Sequence, residues 1–217
     1  MKCPICKGHF RKFLPVKDRK NAYCPKCGSF ERHRLIFLYL KKTDSFFTEN
    51  LRVLHIAPHR GLQHNMMKMK NLDYISIDNV PKSAMLIMDI TNLTFDNEYF
   101  DVIICSHVLE HVPDDRLAMQ ELFRVLKRGG WGLILVPIDK SKEKTLEDPK
   151  IRDPKIRKEL YGEEDHLRLY GLDFMQRLKD IGFNVNDNDF VKNLDENILK
   201  LYGLDRNENM YVVYKNN

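Results

Sequence analysis

MDITNLTFDNEYFDVIICSHVLEHVPDD, residues 88–115, decides the fold. Its centre, Phe100-Asp101-Val102-Ile103-Ile104-Cys105, is a short apolar run bounded by charged and turn-forming residues, as expected of a strand buried on both faces. Strands of that kind belong to mainly parallel sheets covered by helices on either side. Asp89 precedes the strand and Ser106-His107 follow it. Ligands of open α/β sheets bind beyond the carboxyl ends of the strands, so residues at these ends are the binding candidates. Cys105, inside the apolar run, is expected to be a core thiol.

Working outward, apolar runs predict further strands over 51–56, 73–78, 84–88, 131–136, 183–185 and 210–215. Amphipathic periodicity predicts helices over 61–70, 116–126 and 172–181, with Gly129-Gly130 breaking the second. This alternation specifies an α/β fold with helices on both faces of the sheet. Residues 138–166 are irregular and highly charged, and too long for an ordinary helix-to-strand connection. They are expected to form a lid-like insertion with a short helix near 156–161, with a disordered loop as the alternative.

Asp78 ends the second strand and Asp89 follows the third. A carboxylate at the first position can accept two hydrogen bonds from ribose hydroxyls, and one at the second can accept from an adenine amine. Either aspartate alone can equally be a cap for the following turn. Their order and register within one domain favour a nucleoside cofactor. The turn Ala57-Pro58-His59-Arg60-Gly61 would bring backbone donors to the cofactor's polar tail.

VLHIAPHRG (53–61), YISIDN (74–79), residues 88–115 and LFRVLKRGGWGLILVP (122–137) together resemble the class I S-adenosylmethionine-dependent methyltransferases. The resemblance implies a seven-stranded Rossmann-like sheet with 210–215 as its one reversed strand. It also implies that Asp78 and Asn79 hold the ribose, Asp89 and Ile90 the adenine, and Ser106 and His107 the methionine side. The first motif departs from the family's glycine-rich pattern, because His55 stands in place of an acid and Ala57 and His59 in place of glycines. Of its glycines only Gly61 remains. His55, Ala57, His59 and Gly61 are nevertheless the expected cofactor-side residues, and to fit His59 the loop must take a different path or aim that side chain at the methionine carboxylate. A dinucleotide site would need GxGxxG after the first strand, and this loop supplies one of its three glycines. A subgroup with a cysteine ribbon, the signature CGSxERHR and a first motif LHxAP is similar to the chain over its full length.

Cys3-x2-Cys6 and Cys24-x2-Cys27 carry the spacing of a four-thiolate metal knuckle, and structural zinc is the expected occupant. Four cysteines alone do not separate zinc from an iron–sulfur cluster, and disulfides or a redox pair also use CxxC. The expected division is a zinc ribbon with a docking helix over 1–46 and a methyltransferase domain over 47–217. ERHRLIFLYLKK (31–42) reads as the docking helix, and Arg32 and Arg34 as solvated charges or anion contacts. Residues 1–50 carry eight lysines and four arginines against four acids, within a chain of net charge +5. That basic segment admits an anionic partner.

The chain of 217 residues is 43% hydrophobic and 31% charged, which suits a globular domain with a real core. It has no run long and apolar enough for a membrane span and no apolar leader, so a cytoplasmic protein is expected. The resemblance implies methyl transfer from S-adenosylmethionine to an O, N or C atom of a small-molecule acceptor, with sugar and lipid intermediates as candidates. RNA is the alternative acceptor, gripped by the ribbon, and a non-catalytic adaptor with a degenerate fold is the alternative of a different class. His166, in DHLRLYG, is the expected general base or acceptor partner, with Arg168 clamping an anionic group and His107 shaping the pocket. The oligomeric state is left open.

Overall fold

The computed structural model describes residues 1–208 and 210–216. A hairpin of β1 (Leu14–Val16) and β2 (Arg19–Tyr23) is followed by α1 (Glu31–Lys42) and α2 (Asp44–Thr48). Strand and helix then alternate through β3 (Leu51–Ile56), α3 (Arg60–Met66), β4 (Leu72–Asp78), β5 (Leu86–Ile87), β6 (Phe100–Ser106), α4 (Asp115–Val125) and β7 (Leu126–Leu135). The insertion carries β8 (Leu146–Glu147), α5 (Pro154–Tyr161) and β9 (Arg168–Leu169). It is followed by α6 (Phe174–Ile181), β10 (Asn184–Asp187), α7 (Glu196–Tyr202) and β11 (Tyr211–Tyr214).

Seven strands form one sheet in the order β10-β11-β7-β6-β3-β4-β5. β11 runs antiparallel to both neighbours and the other pairings are parallel. This is the Rossmann-like sheet expected from the sequence, with the reversed strand where it was placed. The order of connection changes direction between β3 and β6, so a crevice opens beyond their carboxyl ends. Alternation along β6 explains its continuous apolar run. Val102 and Ile104 pack into the core on one face, and Ile103 and Cys105 into the core on the other.

Three boundaries differ from the periodicity. α4 ends at Val125, before the glycine pair, because β7 already begins at Leu126 opposite Phe100. The next pair in register is Val102 with Trp131, so residues 127–130 bulge out of the ladder. Gly129 takes φ +72°, and a Cβ on Gly130 would lie 2.9 Å from the Lys127 carbonyl. The glycines therefore make the bulge instead of ending the helix. α3 is shorter than the 61–70 expected, and β5 contracts to two exposed edge residues. α7 was not anticipated.

The ribbon does not stand apart from the sheet. Ile5, Phe13, Leu35, Ile36, Leu40 and Phe46 share one apolar cluster with Val53, Val102, Leu133 and Val212, so the expected boundary at 46/47 crosses a common core. Arg34, expected as a solvated charge or an anion contact, is fully buried. Its five N–H groups donate to the carbonyls of Ala22, Ser29, Asn21, Tyr202 and Gly203, and its guanidinium lies 4.5 Å from the Phe13 ring centroid. One side chain thus ties the hairpin and knuckle to the end of α7. No helix among the described residues is long and apolar enough to cross a membrane.

Candidate active site

A cavity of about 420 Å³ lies beyond the carboxyl ends of the central strands. Ala57, Asp78, Asn79, Asp89, Ile90 and His107 line it, together with Met88, Val108, His111, Val112 and Asp165. Six of the sequence-predicted residues therefore meet at one edge of the sheet. Each strand-end aspartate ties one oxygen to its own turn. Asp78 Oδ1 accepts from Val80 N at 3.1 Å, and Asp89 Oδ1 accepts from Thr91 N and Thr91 Oγ1 at 2.8 Å each. The second oxygen of each has no partner among the described residues, so capping the turn leaves half of each carboxylate uncommitted.

Two residues at this edge hold backbone conformations that side chains disfavour. Ala57 has φ +43° and His107 φ +55°. Left-handed non-glycine residues cost on the order of 1 kcal/mol each and cluster at functional sites. His107 is fixed by its N–H to Leu135 O at 2.8 Å. Its Nδ1 lies 3.3 Å from Glu110 Oε1 and its Nε2 3.7 Å from Glu208 Oε1. Burial disfavours the imidazolium, but the Glu110 and Glu208 carboxylates outweigh it and raise the His107 pKa. Ser106 Oγ and His107 Nε2 are buried without hydrogen-bond partners. Orphaned buried polar atoms are rare in folded proteins, and both belong to residues expected beside the methionine part of the cofactor. Together with the two half-free aspartates they make a donor and acceptor set that fits S-adenosylmethionine.

The structure places three first-motif residues away from the cavity. His55 is buried in β3, with Nδ1 2.9 Å from Tyr74 Oη, and burial depresses its pKa to about 3. His59 faces the ribbon and not the cleft. Its Nδ1 accepts from Gly61 N at 3.2 Å, capping α3, while Nε2 donates to Cys27 O at 3.1 Å. The ring stacks on His33 at 4.3 Å, and burial lowers its pKa. Gly61 is pressed into the same joint, where a Cβ would lie 3.0 Å from both the His59 ring and Ile5. Ser106 sits behind the cavity wall.

The insertion is ordered and stapled. Asp153 caps α5, Gly162 ends it in the left-handed region, and the buried Tyr161 accepts from Asp148 N through its hydroxyl at 3.0 Å. Arg168, expected to clamp substrate, is buried. It donates to the carbonyls of Leu109, Val112 and Pro113 and to Glu147, so its charge is spent on joining the insertion to the turn after β6. Arg177 and Asp115 extend the network, and Tyr170 donates to Asp115 Oδ2 at 2.7 Å. His166 is buried, its Nδ1 donating to Tyr161 O at 2.9 Å, which leaves Nε2 as a lone-pair donor. It meets the ring of His111 edge to face at 4.8 Å.

The four ribbon cysteines converge. Cys3 Sγ lies 3.6 Å from Cys27 Sγ and Cys6 Sγ 3.7 Å from Cys24 Sγ, with all four sulfurs within 4.8 Å of one another. A tetrahedral zinc with bonds of about 2.3 Å needs sulfur spacings of about 3.8 Å. The donor set fits that ion, and a disulfide would require about 2.05 Å. Zinc held by four thiolates leaves a net negative cluster, and the buried Arg34 lies within its field.

Comparison with known proteins agrees with this geometry. Residues 61–134, about a third of the chain, match the family described as methyltransferase domain. A stretch of 33 residues is 48% identical to the ubiquinone biosynthesis O-methyltransferase of Nitrosomonas europaea, spanning 15% of this chain and 14% of that protein. Among solved structures, the chain is similar to YcgJ of Bacillus subtilis (TM-score 0.56, 15% identity, covering 85% of this chain and 99% of that one). It is also similar to the [4+2]-cyclase SpnF (TM-score 0.55, 14% identity, 84% and 83% covered). A third is an S-adenosylmethionine-dependent methyltransferase of Archaeoglobus fulgidus (TM-score 0.51, 18% identity, 82% and 91% covered). The chain thus has a class I methyltransferase-like fold with an N-terminal cysteine cluster able to chelate a metal. At these identities the likeness is one of fold, which hosts more than one chemistry.

Proposed function

We propose that the chain is an S-adenosylmethionine-dependent methyltransferase acting on a small-molecule acceptor at an O, N or C atom. The observation that carries this reading is the pair of strand-end carboxylates, Asp78 and Asp89, which line the same cavity and each keep one oxygen without a partner among the described residues. In it Asp78 and Asn79 hold the ribose, Asp89 and Ile90 the adenine, and the edge formed by Ala57 and His107 faces the methionine part, with Ser106 behind it. When bound, the cofactor supplies an activated methyl group. The chain's own work is then to orient the acceptor and exclude water. A lone pair for an acceptor's proton is available at His166 Nε2, whose Nδ1 is already engaged.

A second groove, of about 600 Å³, is lined by Arg11, Lys12, Arg19, Lys20, Lys200 and Arg206 and supports the RNA reading. Glu31, Glu196 and Asp205 line it too, and it shares no residue with the strand-end cavity, so the small-molecule reading is the better supported. Calorimetric titration of zinc-loaded protein with S-adenosylhomocysteine tests the proposal. Micromolar binding is expected. Absence of binding heat, together with an unmoved thermal midpoint, would leave only the adaptor reading.

A further inference from the structure

Glu110 is an anomaly. It sits in the turn after β6, is completely buried, and neither carboxylate oxygen accepts a hydrogen bond among the described residues. Its nearest charged neighbour is the His107 ring, 3.3 Å away but outside hydrogen-bonding geometry. A carboxylate kept in the interior without partners is strongly disfavoured unless a cation or a donor completes it.

Two imidazoles stand beside it. The ligand atoms of Glu110, His111 and His166 lie within 4.8 Å of one another. Each ring is already oriented through a nitrogen, as metal-bound histidines usually are. His166 donates Nδ1–H to Tyr161 O at 2.9 Å, and His111 Nδ1 lies 3.2 Å from Asp165 Oδ2, so the other nitrogen of each is free. The chain also invests in holding the two segments together. Leu167 N donates to Glu110 O at 2.8 Å, and Arg168 bonds the carbonyls on both sides of the Glu110-His111 pair.

We infer that Glu110, His111 and His166 form a second metal site, distinct from the cysteine ribbon, for a divalent transition ion. Two imidazoles and one carboxylate are a donor set for zinc, manganese, iron or cobalt, and they leave coordination positions open. Ligand bonds of about 2.0–2.2 Å need donor spacings of about 3–3.5 Å, so closure takes only small side-chain shifts. His111 and Asp165 line the strand-end cavity, which puts the open positions on its wall. This deepens the methyltransferase reading and rests on it. An acceptor hydroxyl bound to the ion would lose its proton more readily, which makes an oxygen the nucleophile and His166 a ligand in place of a base.

The test is a titration of the full chain, its ribbon already filled with Zn²⁺, with Co²⁺ followed by visible absorption and metal analysis. One Co²⁺ per chain is expected, with ligand-field bands and no thiolate charge-transfer band. His166→Ala and Glu110→Gln should weaken it at least about tenfold at unchanged ribbon zinc. Should the Glu110 variant fail to fold, His111→Ala at the half-buried position makes the same measurement. No Co²⁺ bound, a thiolate band, or undiminished binding in the histidine variants would each overturn the site. S-adenosylhomocysteine titrated in parallel separates the readings: cofactor binding without Co²⁺ refutes the metal site alone, and Co²⁺ binding without cofactor refutes the methyltransferase reading alone.

Discussion

Asp78→Asn tests the cofactor assignment with the least disturbance to the fold. The asparagine carbonyl can still accept from Val80 N, the bond that Asp78 Oδ1 makes at 3.1 Å, so the turn after β4 keeps its geometry. What is lost is the charge and the second acceptor oxygen, which has no partner among the described residues. Hydrogen bonds to an ionised group contribute about 1.5–3 kcal/mol. Loss of one such interaction should weaken S-adenosylhomocysteine about 10- to 150-fold. Isothermal titration measures the affinity, and a thermal melt checks the fold, which should shift by no more than about 0.5 kcal/mol for so local a change. If affinity moves less than about threefold in well-folded protein, Asp78 does not hold the ribose and the placement of adenosine is wrong.

Three further outcomes follow from buried groups. His55 is held neutral, with its pKa pressed from 6.5 to about 3 by burial. Below pH 6.5 the unfolded chain therefore takes up a proton that the folded chain refuses, and stability drains away as pH falls toward 3. At pH 4.5 this amounts to about 2.7 kcal/mol, so the stability gap between wild type and His55→Gln in urea melts should shrink by that much from pH 7.5 to 4.5; parallel curves would show that His55 does not titrate this way. Arg168→Met should destabilise by about 3–5 kcal/mol, because it strands the carbonyls of Leu109, Val112 and Pro113 and the Glu147 carboxylate. A raised acceptor KM at an unchanged melting temperature would restore the clamp role instead. Cys24→Ser should remove the ribbon's zinc and unfold the knuckle, and full retention of that zinc on metal analysis would count against the four-thiolate site.

The strands and the two acids were legible because both are local facts. A strand covered on two faces must be apolar at every position, as Val102, Ile103, Ile104 and Cys105 are, and a carboxylate at its end has one edge of the sheet to occupy. Arg34 and Arg168 were misread for the opposite reason. Their partners are carbonyls, which every residue carries, so no pattern of side chains announces them. The sequence contained a weaker clue, since Arg34 follows the second cysteine pair by only seven residues and the cluster needs a compensating charge. His166 was found by position in its motif, whereas the burial of Glu110 without a hydrogen-bond partner is a property of the folded chain alone.

The altered first motif is intelligible once the ribbon is included. In a glycine-rich loop the backbone approaches the cofactor because no side chain stands in the way. Here His59 is turned out of the cavity altogether, with both ring nitrogens engaged, one on the N-terminus of α3 and one on the carbonyl of the zinc-knuckle residue Cys27. Asn65 adds a bond from α3 to Ile5 O at 3.2 Å. Glycine is then needed only where the ribbon itself presses on the loop, at Gly61, and Ala57 can hold its left-handed turn because Ala57 N is fixed to Ile77 O at 2.8 Å. The loop's shape is thus imposed from outside by the cysteine module. The histidines that replace the missing acid and glycine are thus a core residue and a joint residue, His55 on Tyr74 and His59 between α3 and the ribbon.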